Sequence, residues 1–474
     1  MHDNGKPSKP RETGHQTATQ AISRRDFGPH AAAALTGILV LPRHVLGGSG
    51  NTAPSDKLNI AGVGVGGMGA EYLKGLAAEN IVALCDVDSE KAAKTFNRYP
   101  DAKVYTDFRE LLDKEKGIDA VVIGTPDHTH ALVAMAAIQL RKHVYCAKPM
   151  TRTIHEVRTV VKAARDAKVA TQMSVQSCAS EKACETAEWI RAGAVGEVRE
   201  VHVWTDRPVW PQGLARPDDT PPVPSTFAWD LWLGPAAERP YNPIYHPFRW
   251  RGWHDFGTGA LGDMGCHTFH VIFQALHLEH PMRVQASYNF EMLPAYGTDA
   301  DEDWMMSKKA KTPETYPMAS IVTWDFPARG KQPPVSVQWY DGGLRPPRPR
   351  GWPDDKKFPP DGILFIGSKG VLFSKFTGGP SILSGPKQKG FTPPRPTLPR
   401  TKGHYVEFAE AAKGGPPANC NFDFGGLLTE TALLGTIAQR TGKVLEWDAA
   451  AGRFTNDEGA NSLIQPPYRS GWSL

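Results

Sequence analysis

Residues 58–69 read LNIAGVGVGGMG. The first half is a short, nearly continuous apolar run of the kind buried in the middle of a sheet. The second half sets Gly64, Gly66 and Gly69 in the spacing G-x-G-x-x-G, and the following AEYLKGLAAE carries a helical period. A lone glycine fingerprint says little, but one standing between a strand and a helix is specific for a dinucleotide site. The glycines let the backbone approach a pyrophosphate at the helix N-terminus, where unpaired N–H groups favour an anion. Asp86 closes the next apolar run, 22 residues after Gly64, where a carboxylate accepts from adenosine ribose hydroxyls. With Asp88 close behind and no arginine nearby, this end favours NAD, with NADP the lesser choice.

Working outward, NIVALCDVD, DAVVIGT, HVYCAKP and VATQMS read as buried strands. Between them SEKAAKTFNRY, FRELLDKE, HTHALVAMAAIQL and TIHEVRTVVKAARDA read as helices. Strand and helix in alternation specify an α/β Rossmann domain, a doubly wound parallel sheet, over residues 55–175. Beyond it the texture changes. A helix, SEKACETAEWIRAG, feeds the strand GEVREVHVWTD, and RVQASYNF, ASIVTWDF, VSVQWYDGG and GILFIGSKGVLFSKF then follow as further strands. Runs of strands with late helices predict an α+β domain with a large, mainly antiparallel sheet over 176–474, serving substrate binding and oligomerisation. Two Pro-rich stretches, 208–247 and 343–400, are expected to wrap the surface or cover a cleft.

Composition excludes several classes. Of the net charge of +4, +3 lies in residues 1–49, which leaves about +1 for the remainder and no electrostatic case for nucleic acid. The same segment holds SRRDFG (23–28), then the uncharged run PHAAAALTGILVLP and GGSG. That order predicts a twin-arginine signal and linker over 1–49, a partnership with the twin-arginine export machinery, and a periplasmic or exported protein. The apolar run is too short for a stable membrane span. Six cysteines without Cys/His zinc spacing read as buried thiols, and no metal site is indicated. DEDWMMSKKAK (301–311) reads as a solvated loop.

Two more strand ends aim at the same crevice: GTPDHTH (124–130) and CAKPM (146–150). With Gly64, Gly66, Gly67, Met68, Gly69 and Asp86, the candidate cofactor residues are therefore Thr125, Pro126, His128, His130 and Lys148. Lys148, at the end of a buried strand, either meets cofactor or substrate or snorkels off the sheet edge. In GTGALGDMGCHTFH (257–270), Asp263 and His267 stand four apart and share a helix face, which suits proton transfer and equally suits a capping arrangement with a core histidine. NPIYHPFRWRGW supplies Tyr245, His246, Arg249 and Trp253, residue types that stack on sugar rings and also anchor ordinary loops.

The glycine motif, TPDHTH, AKP and GTGALGDMGCH, in that order, resemble the Gfo/Idh/MocA family of NAD(P)-dependent sugar and polyol oxidoreductases. The similarity runs through WDLWLGP and RPYNPIYHPFRWRGWHDF to the closing EWD and FTNDEGANSLIQPPYRSGW, so it covers nearly the whole chain after residue 49, in the manner of exported members. It implies that Lys148, Asp263 and His267 are catalytic, with His267 the general base and nicotinamide C4 the hydride acceptor. The chain departs from the family pattern at Ala147, where a glutamate is usual, so any charge partner for Lys148 must come from elsewhere; His270 stands where many relatives have aspartate. For an exported member the resemblance implies a sugar, polyol or glycoside substrate, a homodimer or homotetramer, and tightly bound NAD in a closed redox cycle. Two alternatives remain: an NAD-dependent glycosidase using transient C3 oxidation and elimination, and a non-catalytic, NAD-retaining sugar-binding protein.

Overall fold

A computed structural model of the chain describes residues 56–289, 314–376, 378–385 and 390–474. The twin-arginine segment and the 301–311 loop lie outside the described residues. Lys57–Leu474 form one compact unit.

The apolar runs of the first half become β1 (Asn59–Val63), β2 (Asn80–Cys85), β3 (Lys103–Tyr105), β4 (Ala120–Ile123), β5 (His143–Cys146) and β6 (Thr171–Met173). Between them lie α1 (Met68–Gly75), α2 (Ser89–Arg98), α3 (Phe108–Lys114), α4 (Asp127–Gln139) and α5 (Ile154–Ala167). The sheet order is β3-β2-β1-β4-β5-β6, all parallel. The order reverses between β1 and β4, so a crevice opens at their carboxyl ends. Local chemistry starts the helices where the sequence says they should start. Asp88 and Asp107 accept the N–H groups of Lys91 and Arg109, and Thr153 with Glu156 forms a full capping box on α5, each such cap contributing about 1 kcal/mol.

The second half holds α6 (Glu181–Arg191), β7 (Val198–Trp204), α7 (Trp229–Leu233), α8 (Gly259–Leu276), β8 (Arg283–Asn289), β9 (Ala319–Phe326) and β10 (Val335–Tyr340). It continues with β11 (Gly362–Gly367), β12 (Gly370–Ser374), β13 (Pro380–Ser384), α9 (His404–Ala412), α10 (Phe422–Thr441), β14 (Leu445–Asp448), β15 (Arg453–Phe454) and α11 (Glu458–Asn461). The strands make one nine-stranded sheet, β13-β12-β11-β7-β10-β9-β8-β14-β15. It is antiparallel except where β7 and β10 run parallel, with Val201 opposite Val337. Parallel neighbours need a long crossover, and the segment carrying α7 and α8 supplies it.

The Pro-rich stretch 343–400 is less irregular than its composition predicts, since it contains β11 and β12, expected as strands, and also β13 at the sheet edge. Pro380 is the strand's first residue, where a missing N–H costs little. Helices α8 and α10 are buried on nearly every side, and their side chains, Leu261 and Leu428 among them, join one core with residues of both sheets, such as Met173 of β6 and Trp324 of β9. That shared core fixes α8 against the crevice of the first sheet. All six cysteines are buried and free. Among the described residues no helix is long and apolar enough to cross a membrane.

Candidate active site

At the crevice the glycine loop is shaped by backbone. Gly64 has φ +76°, and a Cβ on Gly69 would lie 2.0 Å from the Gly64 carbonyl oxygen, so α1 starts against the loop only because position 69 is bare. Asp86 ties this loop down: Oδ2 accepts the N–H groups of Val65 (2.7 Å) and Gly66 (2.8 Å), and Oδ1 accepts that of Asp88 (2.9 Å). Burial pushes the Asp86 carboxyl up to about 6 despite those three donors. A carboxylate has about four acceptor positions, which leaves one for a ribose hydroxyl.

The loop opens on a cavity of about 650 Å³, within the ordinary size range for a cofactor and a small substrate. Gly64, Gly66, Gly67, Met68, Asp86, Thr125, Pro126, His130 and Lys148 line it, so the bare loop and its acid fit a dinucleotide. Two expected cofactor residues are placed off this lining. Gly69 packs on Gly64 beneath the loop. His128 is fully buried, its ring nitrogens 3.2 and 2.7 Å from the Phe256 and Trp232 carbonyl oxygens, where it pins α4 to the second half. His130 lies on the wall, its nitrogens 2.8 Å from the carbonyl oxygens of Pro149 and Thr125, and burial keeps it neutral with a pKa near 4.

The charged side chains of the lining gather around Asp263. Lys148 Nζ donates to Asp263 Oδ1 at 2.7 Å and to the Asp263 carbonyl oxygen. Arg251 Nε donates to the same Oδ1 at 3.2 Å. The charge partner that Ala147 cannot provide for Lys148 is thus Asp263. Burial works against the Asp263 carboxylate, but the Lys148 and Arg251 cations outweigh it and hold its pKa below the usual carboxylate range.

His267, one turn along α8, also lines the cavity, with Phe376 edge-on at 5.4 Å. Burial first, and then the Lys148 ammonium, lowers its pKa to about 3, so its imidazole is neutral; its Nδ1 has no hydrogen-bond partner among the described residues. His270 is buried off the cavity.

The second acid of the site is Asp127, the first residue of α4. It accepts the Thr258 hydroxyl at 2.6 Å, and burial raises its carboxyl to about 7. Thr258 reaches it because Gly262 is bare: a Cβ there would meet Thr258 Oγ1 at 1.9 Å. Sequence reading passed over Asp127, although the TPDHTH motif contains it.

The aromatic segment divides differently from its expectation. His246 faces the cavity, held 2.9 Å from Asp88 Oδ2 and stacked on Phe227. Tyr245 and Trp253 do not line the cavity; they are 1% and 0% exposed, locked edge-to-face in a small aromatic core. Arg249 is exposed and off the lining, and Arg251, two residues on, takes the inward place with its guanidinium 4.3 Å from the Trp250 ring and 4.5 Å from that of Phe248. Residue type alone does not separate Arg249 from Arg251; the short 3-10 turn at 249–252 does.

Residues 58–175 match the family model described as an oxidoreductase family with an NAD-binding Rossmann fold, and residues 208–299 with 365–474 match that family's C-terminal alpha/beta domain. Levoglucosan dehydrogenase of Pseudarthrobacter phenanthrenivorans is 26% identical over 44% of this chain and 49% of its own length. Inositol 2-dehydrogenase of Salmonella typhimurium is 33% identical over 21% of this chain and 31% of its own. The chain thus spans a third to a half of these curated relatives. In fold it resembles the WlbA dehydrogenase of Bordetella pertussis, solved with NADH and UDP-GlcNAcA, with a TM-score of 0.55 and 18% identity over 83% of this chain and 99% of that one.

Proposed function

Because the chain belongs to the Gfo/Idh/MocA oxidoreductase family, with its NAD-binding Rossmann domain, we propose that it oxidises a sugar, polyol or glycoside, and that NAD stays bound through a closed redox cycle. The observation that carries this reading is the meeting of Lys148, Asp263, Arg251 and neutral His267 on the lining of the cavity that the glycine loop also lines. When bound, the nicotinamide supplies the hydride acceptor.

An ammonium has three N–H donors, and Asp263 takes two of those on Lys148, which leaves one for a substrate hydroxyl oxygen. That donor positions the carbinol and stabilises negative charge developing on its oxygen. His267, kept neutral by its burial, accepts the hydroxyl proton, and the Asp263 carboxylate one turn away favours the imidazolium that results. The carbon-bound hydrogen leaves as hydride and the carbinol becomes a carbonyl. The aromatic rings around Arg251 furnish the sugar-facing wall, while His246, held by Asp88, stands toward the adenosine ribose end. Tyr245 and Trp253 support that wall from behind.

The twin-arginine pattern at Arg24 and Arg25 supports export of folded, NAD-loaded protein, and a homodimer or homotetramer completes the reading. The test is purification of the mature protein through gel filtration, with nucleotide released on denaturation measured against protein. Near one NAD(H) per chain, reduced by a member of a panel including levoglucosan and myo-inositol, supports the proposal. No bound nucleotide contradicts the closed cycle. Release of aglycone from a glycoside without net NADH would transfer the same residues to an NAD-dependent glycosidase.

A further inference from the structure

Residues 468–472, in the irregular stretch after α11, are firmly held against the rest of the fold. Tyr468 Oη donates to Glu156 Oε1 at 2.6 Å. Arg469 makes a fourfold fastening to the end of α7: its N–H donates to the Pro235 carbonyl (3.1 Å), Nε to the Gly234 carbonyl (2.6 Å), and its two terminal nitrogens to Asp230 Oδ1 (2.6 Å) and the Asp230 carbonyl (2.7 Å). Three residues later the half-buried Trp472 lines the cavity, with the Arg109 guanidinium 4.6 Å from its ring centroid. Arg109 is itself fixed by a bidentate pair with Asp107, Nε to Oδ1 at 3.0 Å and a terminal nitrogen to Oδ2 at 2.6 Å.

The place of Trp472 in the cavity follows from the sheet order. The glycine loop after β1 takes the pyrophosphate, and Asp86 at the end of β2 takes the adenosine ribose, so the adenine lies on toward β3. The lining there is Thr106, Asp107 and Phe108, directly after β3, together with Trp472. We propose that Tyr468–Trp472 form a clasp over the adenosine end of the cavity, in which the Trp472 indole packs on the adenine face, Arg469 is the fastener, and nucleotide release requires the clasp to open. The proposal rests on nucleotide occupying this cavity and not on the identity of the substrate. A π-face of this kind recognises any adenine, so ADP-ribose is held as NAD is, and nicotinamide mononucleotide does not feel it.

The experiment measures NAD dissociation from the loaded full-length mature protein by chase and rapid desalting, alongside equilibrium affinities for ADP-ribose and nicotinamide mononucleotide. Stacking of a base on an aromatic side chain is worth enough that Trp472→Ala should release NAD about tenfold faster and weaken ADP-ribose by the same factor. Nicotinamide mononucleotide should bind unchanged, Trp472→Phe should restore most of the loss, and Arg469→Ala should speed release in the same direction. Parent-like release and ADP-ribose affinity in Trp472→Ala would overturn the clasp, as would an equal loss for nicotinamide mononucleotide. Were the parent chain to purify without NAD, the retained-cofactor reading would fail by itself, and the ADP-ribose affinities of the same variants would still decide for or against the clasp.

Discussion

The two ends of the cavity are made of different material. At the nucleotide end the contacts come largely from backbone: N–H groups of a tight loop, glycines that admit close approach, and one acid, Asp86, that spends two acceptor positions holding that loop and a third on the Asp88 N–H. At the chemical end they come from side chains that four separate segments deliver: Lys148 after β5, Asp127 at the start of α4, Arg251 from a 3-10 turn, and Asp263 with His267 from α8. Apart from the Trp472 clasp over its adenosine side, the first end is a local structure. The second exists only when the core shared by the two sheets is assembled. Damage to the first should therefore show in affinity, and damage to the second in turnover, with stability affected wherever a buried charge loses its partner.

The largest effect should come from His267→Ala. Losing a positioned base lowers kcat on the order of 10³-fold, while NAD affinity measured by titration stays within a few-fold. Equal losses in both would erase the division between the ends. Gly69→Ala attacks the opposite end. Its methyl meets backbone rather than a flexible side chain, so a loss of about 3 kcal/mol in chemical denaturation is expected, with NAD binding lost in parallel.

Asp127→Asn sharpens the comparison through pH. The folded-state carboxyl, raised to about 7 by burial, stands above its unfolded value of about 4. The native state therefore holds an extra proton between those values, and its stabilising contribution, complete below about pH 4, is lost as pH rises through 7. Asparagine keeps an acceptor for Thr258 without the charge. The variant should gain stability over the parent toward pH 8, by at most about 4 kcal/mol, and the difference should vanish near pH 4. A pH-independent difference in urea midpoints would contradict this account of Asp127. The smallest effect belongs to Gly67→Ala, where an added Cβ meets nothing within 4 Å; stability should stay within about 0.5 kcal/mol, in contrast to Gly69 two residues on.

The same division explains what could be read from sequence. Strand, glycine loop, helix and the acid of the next strand are contiguous, so the nucleotide end and the parallel sheet were legible from period and spacing alone. Asp263 and His267 were legible because one helix face presents both. Arg251 and Asp127 were not, since nothing local tells Arg251 from Arg249, and an acid opening a helix reads as an ordinary first-turn residue. Tyr245 and Trp253 were misplaced for the converse reason: an aromatic suited to a sugar is equally suited to a core, and packing on Phe256 decided it. The parallel β7–β10 pairing and the β13 edge were hidden because they depend on the order in which distant strands meet.

In the proposed function the side-chain end performs chemistry on a carbinol with the nucleotide already in place. The most direct test mixes NAD-loaded protein with an excess of each of a panel of sugars and polyols and follows nicotinamide absorbance over a single turnover, in parent and His267→Ala. At least one compound should reduce the bound NAD in the parent, on the order of 10³-fold faster than in the variant, with equal nucleotide content in the two proteins. Reduction at the same rate in both, or no reduction by any compound in a fully loaded parent, would contradict it.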